Sequence, residues 1–568
     1  MLTNPWLLGG LGAFALAVYL YQALAYRRLR QFAHLPQIKP SVVWGHLAVL
    51  GEHFKSDGSG TTDMDKIFGR MIESIGNPEI MLLDIRPFNH PILFIRTHEV
   101  AEQVSKQTKA FPYSFGKPTT MDFLEPLIGP SAIIRITGSH WKGLRRRFNP
   151  GFAPQHLMSL LPLITEKTEP LLASLDRLVA SGESFTLEPL LTGLTFDIIG
   201  AVTMGIDFNA QLPDDKQSEF IRMYRELLFT YKGDDGGTPA FAQPLKRWRR
   251  RRMAKRVDAH LSQFVRDKYN ELKREGKKSR TVLALSLQDE DHVSDAMISE
   301  TIDQLKSFMF AGHDTTSILL QWALYELSRT PRALKTLRAE LADLFGADAT
   351  PETVRAVFEA RGDDIMPKMT YTSAVIKEAL RLYPPAGTAR WCPPGSNFHL
   401  KLADGSSVCV DGTILYNCHT LIQRDEAVYG STVNDFVPER WLGNTSTSVS
   451  NDDEEVDSND AEKATIGKAS ESDIPVSAWR PFERGPRNCI GQELANIEAR
   501  IILATVVVKY DFVKVGMAEA KLGQDGKPLL DDKGQHVSDT QLFSDRQITA
   551  RPNDGIEVRV KLREGCRP

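Results

Sequence analysis

Long helical periodicities dominate the pattern of apolar and polar positions along this chain, and short β-type pieces lie between them. The strongest periodic segment runs from about Ser294 to Ser328, and Pro331 stops it because proline lacks an amide hydrogen. With a rise of about 1.5 Å per residue, such a helix spans roughly 50 Å, the width of a whole domain. Apolar pieces bounded by turn residues predict strands at residues 80–85, 92–95, 399–402, 407–410 and 556–560. The pattern therefore predicts a mainly α fold with a minor β part.

The N-terminus is apolar enough to cross a membrane. Residues 1–26 carry no charged side chain, and residues 6–25 are apolar apart from two tyrosines and one glutamine. About 20 apolar residues span a bilayer as a helix, whereas a cleaved signal peptide has a basic start and a shorter apolar run. Arg27, Arg28 and Arg30 follow at once, which by the positive-inside rule places the rest of the chain in the cytosol. We expect a transmembrane anchor at 1–26, a basic and proline-rich linker at 27–45, and a folded body at 46–568.

Two polar stretches predict insertions at the surface of this body. Residues 444–477 are rich in Ser, Asp, Glu and Asn and poor in aromatic residues. Such a segment cannot bury enough apolar area to fold, so we expect a disordered acidic loop there. Residues 523–538 predict a long polar turn between C-terminal strands.

Composition narrows the class of protein. The 568 residues are 42% hydrophobic and 25% charged, which is ordinary for a packed protein. The formal net charge of -3 does not suggest a nucleic-acid-binding protein. We interpret the basic run at residues 246–252 as the solvated face of a helix rather than a nucleic-acid or nuclear-import signal. The five cysteines are too few and too C-terminal for a disulfide framework, which suits a reducing compartment.

The most informative stretch is residues 482–491, Phe-Glu-Arg-Gly-Pro-Arg-Asn-Cys-Ile-Gly. Gly485 and Pro486 predict a loop, and the apolar run after Gly491 predicts a helix. Cys489 then lies just before a helix N-terminus, where backbone amides and the helix dipole favour a thiolate. Neighbouring arginines add positive charge. A thiolate in this environment suits a metal ion, although a buried structural cysteine is the alternative for this residue on its own.

The spacing Phe-x-x-Gly-x-Arg-x-Cys-x-Gly resembles in full the haem-binding loop of the cytochrome P-450 superfamily. The resemblance implies that Cys489 is the axial thiolate of a haem iron, that Phe482 packs beside the sulfur, and that Arg487 reaches a haem propionate. Other matching segments follow in the right order, so the resemblance covers nearly the whole chain. It implies the fold of that superfamily, with a long central helix over haem b and small β-sheets. A thiolate ligand pushes electron density onto iron and favours O–O cleavage.

A polar cluster, Gly-His-Asp-Thr-Thr at residues 312–316, interrupts the middle of the long helix. Polar groups inside a buried helix are costly unless they serve a function. A threonine hydroxyl can divert a backbone carbonyl, which would open the helix locally. The segment resembles the oxygen-activation segment of the same superfamily, which implies that Thr315 and Asp314 manage the protons of oxygen activation. A kinked core helix is the alternative, and we interpret His313 as a bystander because the thiolate already supplies the protein ligand.

Two arginines and one glutamate resemble a structural lock of the superfamily. Glu378 and Arg381 stand at i and i+3 on one helix face. The resemblance implies that both pair with Arg440 behind the haem loop, and arginine's planar fork suits such a shared carboxylate.

A second set of matches concerns the haem propionates. Trp141 and Arg145 stand at i and i+4 in a segment that resembles the Trp-x-x-x-Arg helix of the superfamily. The resemblance implies that both contact the propionates, with Arg390 as a third partner. Buried carboxylates need such cations.

Together these resemblances imply a membrane-anchored haem-thiolate monooxygenase, an oxidoreductase acting on paired donors that inserts one atom of O2 into an apolar organic substrate. NADPH would supply electrons through a separate flavoprotein reductase, with cytochrome b5 as a further donor. The implied location is the endoplasmic reticulum membrane, single-pass, with a cytosolic catalytic domain. Residues 115–133, 308–311 and 385–388 are expected to line the substrate site. The anchor, the acidic insertion and the spelling Asp-Phe-Val-Pro-Glu-Arg-Trp resemble fungal secondary-metabolism members most.

A basic surface is expected to receive the electron donor. We expect Lys142, Arg146 and Arg147 to join Arg484 there and to bind an acidic partner protein.

Two other functions stay open at this point. One is a haem-thiolate isomerase or dehydratase that needs no reductase, and the Asp314–Thr315 pair argues against it because such an enzyme needs no proton relay. The other is a non-catalytic haem sensor or binding protein, which would need a second axial side chain, and no residue is a forced candidate.

Overall fold

The computed structural model describes residues 5–56, 64–232, 243–275, 279–443, 474–546 and 548–566. Residues 444–473 of the expected acidic insertion lie outside these ranges, so its interpretation stays a prediction. The last residues of that stretch are described. Val476–Ala478 forms a 3₁₀ turn, and the Ser477 hydroxyl lies 2.9 Å from His98 Nδ1.

Helices make up most of the described chain, as the periodicity predicts. The first ten are α1 Pro5–Ala25, α2 Leu47–Ser56, α3 Met64–Glu73, α4 His98–Ser105, α5 Glu125–Ile128, α6 Gly138–Phe148, α7 Pro154–Met158, α8 Leu161–Glu166, α9 Glu169–Ser181 and α10 Leu187–Met204. The others are α11 Glu219–Phe229, α12 Pro244–Glu275, α13 Val282–Leu287, α14 Asp295–Arg329, α15 Pro331–Phe345, α16 Pro351–Ile365, α17 Thr370–Leu382, α18 His419–Ile422, α19 Glu426–Tyr429 and α20 Gln492–Val507.

The strands form four small sheets within the described residues. They are β1 Ile80–Leu83, β2 Ile92–Ile95, β3 Phe185–Thr186, β4 Thr388–Trp391, β5 His399–Lys401, β6 Ser407–Cys409, β7 Ile414–Asn417, β8 Tyr510–Lys514, β9 Ser544–Arg546, β10 Ala550–Pro552 and β11 Glu557–Leu562. The largest sheet has the order β1-β2-β7-β4, in which β2 and β7 run parallel and the other pairs antiparallel. A second sheet has the order β3-β11-β8, and β5/β6 and β9/β10 are two-stranded. All five strands expected from the sequence are present within one to two residues at each end.

Helix α14 runs through the middle of the body and confirms the strongest sequence prediction. The Ser294 hydroxyl caps its first turn by accepting from the Met297 amide, and Thr330 ends it just before Pro331. The helix is continuous across residues 312–316, so the local opening expected there is not seen. Gly312 allows α10 to pack closely, because a Cβ at this position would lie 2.7 Å from Ile199 Cδ1. The main apolar core surrounds α14 and includes faces of α10, α17 and α20.

The N-terminal helix α1 is long and apolar enough to cross a membrane by length and composition. The apolar helix α10 passes the same test, but most of it is buried inside the body. Part of the expected linker packs on the body. Arg28 Nη1 lies 2.7 Å from the Asp84 carboxylate, and Phe32 and Leu35 are buried beside the β1-β2-β7-β4 sheet.

The polar stretch at 523–538 lies between β8 and β9, as expected, and it also packs against the end of α14. Gln535 is buried there, accepting from Arg329 Nη2 at 2.9 Å and donating to the Thr330 hydroxyl at 3.2 Å. This stretch is therefore attached to the body at one of its turns.

Candidate active site

A cavity of about 290 Å³ lies between the middle of α14, the turn that follows α17, and the loop that precedes α20. One end of the lining is cationic, with Lys117, Arg145 and Arg487. The rest is mostly apolar, and its larger apolar members are Ile133, Ile134, Phe152, Ile199, Phe308, Leu319, Leu380, Phe482, Ile490 and Leu494. A cavity of this kind suits a flat, largely apolar ligand that carries acidic groups at one edge.

Cys489 lies on the wall of this cavity. Its amide donates to the Phe482 carbonyl at 2.8 Å, which closes the loop at residues 482–489, and α20 begins three residues later. Gly485 has φ +72°, and a Cβ there would collide with the Ser105 carbonyl at the end of α4. Glycine is therefore required for the loop to approach α4 this closely. Phe482 lines the same cavity, and its packing beside the sulfur stays a prediction.

The cysteine is less acidic than its position before a helix predicts. Burial raises the pKa of the Cys489 thiol, and the opposing effects of the Gly491 amide and the Arg145 charge do not offset it. The residue is nevertheless exposed to the cavity on whose wall it lies. A metal ion that binds a cysteine removes the thiol proton, so the raised pKa is compatible with a ligand role.

Three of the residues expected to contact the haem propionates lie beside the loop that carries Cys489. The Arg145 guanidinium donates to the Asn488 carbonyl and to Asn488 Oδ1, both at 2.8 Å, and so holds the residue before the cysteine. Arg487 stacks on the Trp141 ring at 4.7 Å and donates to the Ile136 carbonyl at 2.8 Å. Burial, together with the nearby charges of Arg390 and Arg145, lowers the pKa of Arg487 to about 9.

Arg390, on β4, provides the most direct test of whether an anionic group fits. Its side chain is 1% exposed, and none of its three guanidinium nitrogens has a hydrogen-bond partner among the described residues. Buried guanidinium groups are normally paired, because an unpaired buried charge costs several kcal/mol. Lys117 lies close by, and burial and the charges of Arg390 and Arg487 hold its pKa well below its ordinary value. Two propionate carboxylates would satisfy this excess of positive charge, so the residues present fit haem.

On α14, the acid and the alcohol expected to manage protons face in different directions. Thr315 lines the cavity, and its hydroxyl donates to the Ala311 carbonyl at 2.8 Å. Asp314 is 3% exposed and turns away from the cavity toward the β9/β10 hairpin, where it accepts from the Thr549 hydroxyl and from Arg551 Nη2. His313 stacks on Phe196 and hydrogen-bonds its own helix, so it does not reach the cavity lining.

Behind the loop, one carboxylate holds the expected pair of arginines. Glu378 accepts from Arg381 at 2.8 and 2.9 Å, from Arg440 Nε at 3.0 Å and from Trp441 Nε1 at 2.9 Å. Glu378 and Arg381 are fully buried. Arg381 also donates to the carbonyls of Gln423, Val433 and Asp435. The cluster therefore ties α17 to residues 423–435, which precede the loop in sequence.

The expected lining segments match the cavity unevenly. All four residues of 385–388 line it, and so do Phe308 and Ala311, whereas only Lys117 and Ile133 do so from 115–133. Sequence reasoning missed Phe152 and Ile199, whose apolar character marks them as core residues and not as site residues.

Sequence reasoning also missed Glu498. This carboxyl is buried in α20 and lines the cavity, and burial raises its pKa well above the ordinary value. Its place between Ile497 and Ala499 in a largely apolar helix, where it is the one acid of residues 494–508, was the signal that could have identified it.

The expected basic surface forms only in part. Lys142 and Arg146 are exposed and line a shallow depression beside the loop. Arg147 instead turns inward to the Thr301 hydroxyl at 2.7 Å and to Glu300, and the inclusion of this residue was wrong. Arg484 is paired at 3.1 Å with Glu102, a carboxylate that also pairs with Arg480 at 2.9 Å.

Comparison with known proteins agrees with this geometry. A family model described as cytochrome P-450 matches residues 77–530. The chain is 30% identical over 496 residues to cytochrome P-450 monooxygenase acrF of Aspergillus aculeatus, covering 86% of this chain and 94% of the relative. It is 27% identical over 573 residues to cytochrome P-450 monooxygenase polC of Polytolypa hystricis, covering 97% and 94%. Cytochrome P-450 4V2 of Homo sapiens is 24% identical over 473 residues, covering 79% and 76%. The chain therefore belongs to the cytochrome P-450 family, and it is a monooxygenase of that family.

Proposed function

We propose that this monooxygenase holds haem b in the described cavity through Cys489 and oxidises an apolar organic substrate there by hydroxylation, epoxidation or a related oxidation. The observation that carries the proposal is that Cys489 lines one cavity together with Lys117, Arg145 and Arg487. The buried guanidinium of Arg390, which has no hydrogen-bond partner among the described residues, lies close enough to Lys117 and Arg487 to act on their pKa values. When bound, the haem supplies the activation of O2. Trp141, Arg145, Arg390 and Arg487 would hold its propionates, and Phe482 would pack beside the sulfur.

We assign the management of protons to Asp314 and Thr315. The Asp314 carboxylate faces Arg551 on the side of α14 that points away from the cavity, and the Arg551 side chain is 39% exposed to solvent. Thr315 presents its hydroxyl on the cavity side of the same helix turn. The two residues are adjacent in sequence, which supports passage of a proton from the outer side of α14 to the inner side.

The structural support comes from Glu378, Arg381 and Arg440. Their hydrogen bonds reach α17, residues 423–435 and the 3₁₀ turn Pro438–Trp441. All three segments lie behind the loop that carries Cys489. We propose that this cluster keeps the loop in place when the haem is inserted.

The electron donors are proposed from the need of a monooxygenase for electrons and from the exposed basic residues beside the loop. We propose that NADPH reduces a separate flavoprotein reductase, which delivers electrons at the exposed Lys142 and Arg146, with cytochrome b5 as a further donor. Helix α1 supports a single-pass anchor at residues 1–26 in the endoplasmic reticulum membrane, with the catalytic body in the cytosol. Likeness to monooxygenases of two fungi supports a role in secondary-metabolite biosynthesis.

The reduced, carbon-monoxide difference spectrum tests the assignment of Cys489. We expect a strongly red-shifted Soret band for the wild type and for Cys566→Ser, a control cysteine remote from the cavity lining, and no such band for Cys489→Ser. Folded, haem-loaded wild type without that band would reject the proposed ligand. NADPH consumption after addition of a reductase then separates a monooxygenase from a reductase-independent isomerase, which would turn over without it.

A further inference from the structure

Glu483 places a carboxylate inside the loop that carries Cys489. The residue is 8% exposed and adopts φ +57°, a left-handed backbone conformation that is unfavourable for a side chain other than glycine. Its Oε1 accepts from the Ser105 hydroxyl at 2.9 Å, from Arg480 and from the Arg484 amide, and its Oε2 accepts from Asn417 Nδ2 at 3.2 Å. The carboxylate therefore joins the loop to α4 and β7.

His419, the first residue of α18, joins this carboxylate to a second segment. Its Nε2 lies 3.2 Å from Glu483 Oε2, and its Nδ1 lies 2.9 Å from the Ala386 carbonyl oxygen. Burial opposes ionisation of Glu483, but hydrogen bonding from His419 and the charge of Arg480 hold its pKa well below the ordinary value. The two ring nitrogens of His419 thus face two oxygen atoms, one of the Glu483 carboxylate and one of the Ala386 carbonyl.

The segment that His419 holds faces the cavity. Residues 385–388 all line it, and so do His419 and the loop residues Phe482 and Glu483. The Pro385 carbonyl accepts from the Ala550 amide at 2.9 Å, and a Cβ on Gly387 would collide with the Tyr416 hydroxyl on β7. Residues 385–387 are therefore held by the contact with Ala550, the close approach to Tyr416 and the hydrogen bond with His419, and Thr388 is held by the pairing of β4 with β7.

We propose that the Glu483–His419 pair holds the cavity-facing turn at residues 385–388 to the loop that carries Cys489, so that both are positioning residues that determine which ligands fit over the haem. The inference rests on the proposed function, because it takes this cavity as the haem and substrate site. His419 bridges the two segments with two nitrogens on opposite sides of one rigid ring. A glutamine at this position has both of its donors on one nitrogen and cannot reach both acceptors.

Two azole probes of different size test this link in the haem-loaded full-length protein. Imidazole is small enough to bind the iron without contact with the turn, whereas 4-phenylimidazole extends into the cavity. For His419→Gln and for Glu483→Gln we expect the Kd of 4-phenylimidazole to rise by about tenfold, the size expected for loss of a charge-assisted hydrogen bond. The Kd of imidazole should change by less than about twofold, because the bond between azole and iron is unchanged.

The double variant tests whether the two residues act as one unit. We expect its Kd for 4-phenylimidazole to be close to that of either single variant, which is the mark of two groups in one link. Glu102→Gln is the matched control, because Glu102 pairs with Arg480 in the same cluster but does not reach His419. That variant should leave both Kd values unchanged.

The outcomes separate this inference from the proposed function. Absence of the red-shifted carbon-monoxide band in the wild type rejects the proposed function itself. With that band present, equal changes for both azoles, or no change for either, would overturn the inference. If Glu483→Gln binds no haem, His419→Gln decides alone, and faster amide hydrogen exchange in a peptide that covers residues 385–388 is then the second expected readout. Unchanged exchange in that peptide would also overturn it.

Discussion

Arg551 on β10 donates from Nη2 to Asp314 Oδ1 on the central helix at 2.7 Å. The second oxygen of Asp314 accepts from the Thr549 hydroxyl, and the other terminal nitrogen of Arg551 reaches Glu188 on α10 at 2.7 Å. The acid next to Thr315 is thus tied to a C-terminal hairpin more than 230 residues away. This ion pair connects the interior of the monooxygenase to a partly exposed arginine.

Replacing Asp314 or its partner should impair the handling of protons without disturbing haem. We expect Asp314→Asn to lower turnover by about 100-fold, the lower end of what a positioned acid contributes. Arg551→Gln should cause a smaller loss in the same direction, because Asp314 keeps its proton-binding group but loses its partner. Reductase-supported NADPH oxidation and hydrogen peroxide release measure both effects.

Arg559→Gln is the control for that experiment, since Arg559 is an exposed arginine on β11, the next strand along the chain. Wild-type turnover in Asp314→Asn would exclude this residue from proton transfer.

The buried Glu378 cluster should be highly sensitive to loss of one partner. Glu378→Gln leaves the guanidinium of Arg381 buried without its counter-charge, and removal of one partner from such a cluster costs about 3–5 kcal/mol. We expect a lower denaturant midpoint and poor haem incorporation. The exposed pair Lys368–Asp364 provides the comparison, and Asp364→Asn should leave the midpoint unchanged because exposed ion pairs contribute little. A wild-type midpoint in Glu378→Gln would contradict the assigned role.

Arg390 should have opposite effects on the haem-free and the haem-loaded protein. Without haem its buried guanidinium lacks hydrogen-bond partners in the described chain, so Arg390→Leu should raise the unfolding temperature of the haem-free protein. With haem the same change removes a propionate partner and should weaken haem retention. Thermal unfolding of both forms and haem transfer to apomyoglobin measure these effects, with Arg559→Leu as the exposed control. A loss of stability in both forms would identify Arg390 as a structural residue only.

Glu498 should make stability depend on pH. Burial raises its folded-state pKa well above that of the unfolded chain. The unfolded state therefore loses this proton first, and stability falls as pH rises from about 4 toward the folded-state pKa, by up to about 1.4 kcal/mol per pH unit.

Glu498→Gln keeps the size of the side chain and removes the ionisation. We expect the variant to exceed the wild type in unfolding temperature near neutral pH and to match it near pH 4. Parallel unfolding curves over this range would show that Glu498 does not carry the effect.

Elements whose cause is local could be predicted from the residues alone. The periodicity of residues 294–328, the serine cap at its start and the proline at its end are all short-range signals, and α14 follows them closely. The loop with Cys489 was equally readable, because Gly485, Pro486 and Gly491 specify its backbone over a few residues.

Which distant side chains share an environment became evident in the folded chain alone. Nothing in the order of residues indicates that Arg551 meets Asp314, that His419 joins Glu483 to Ala386, or that Arg147 turns inward to Thr301. These contacts depend on how helices and sheets pack, and packing is set by the summed burial of many side chains rather than by any single spacing. The pKa and the hydrogen-bond partners of each buried group follow from that packing. The raised pKa of Glu498, and the lack of hydrogen-bond partners for Arg390 among the described residues, are therefore evident only in the folded chain.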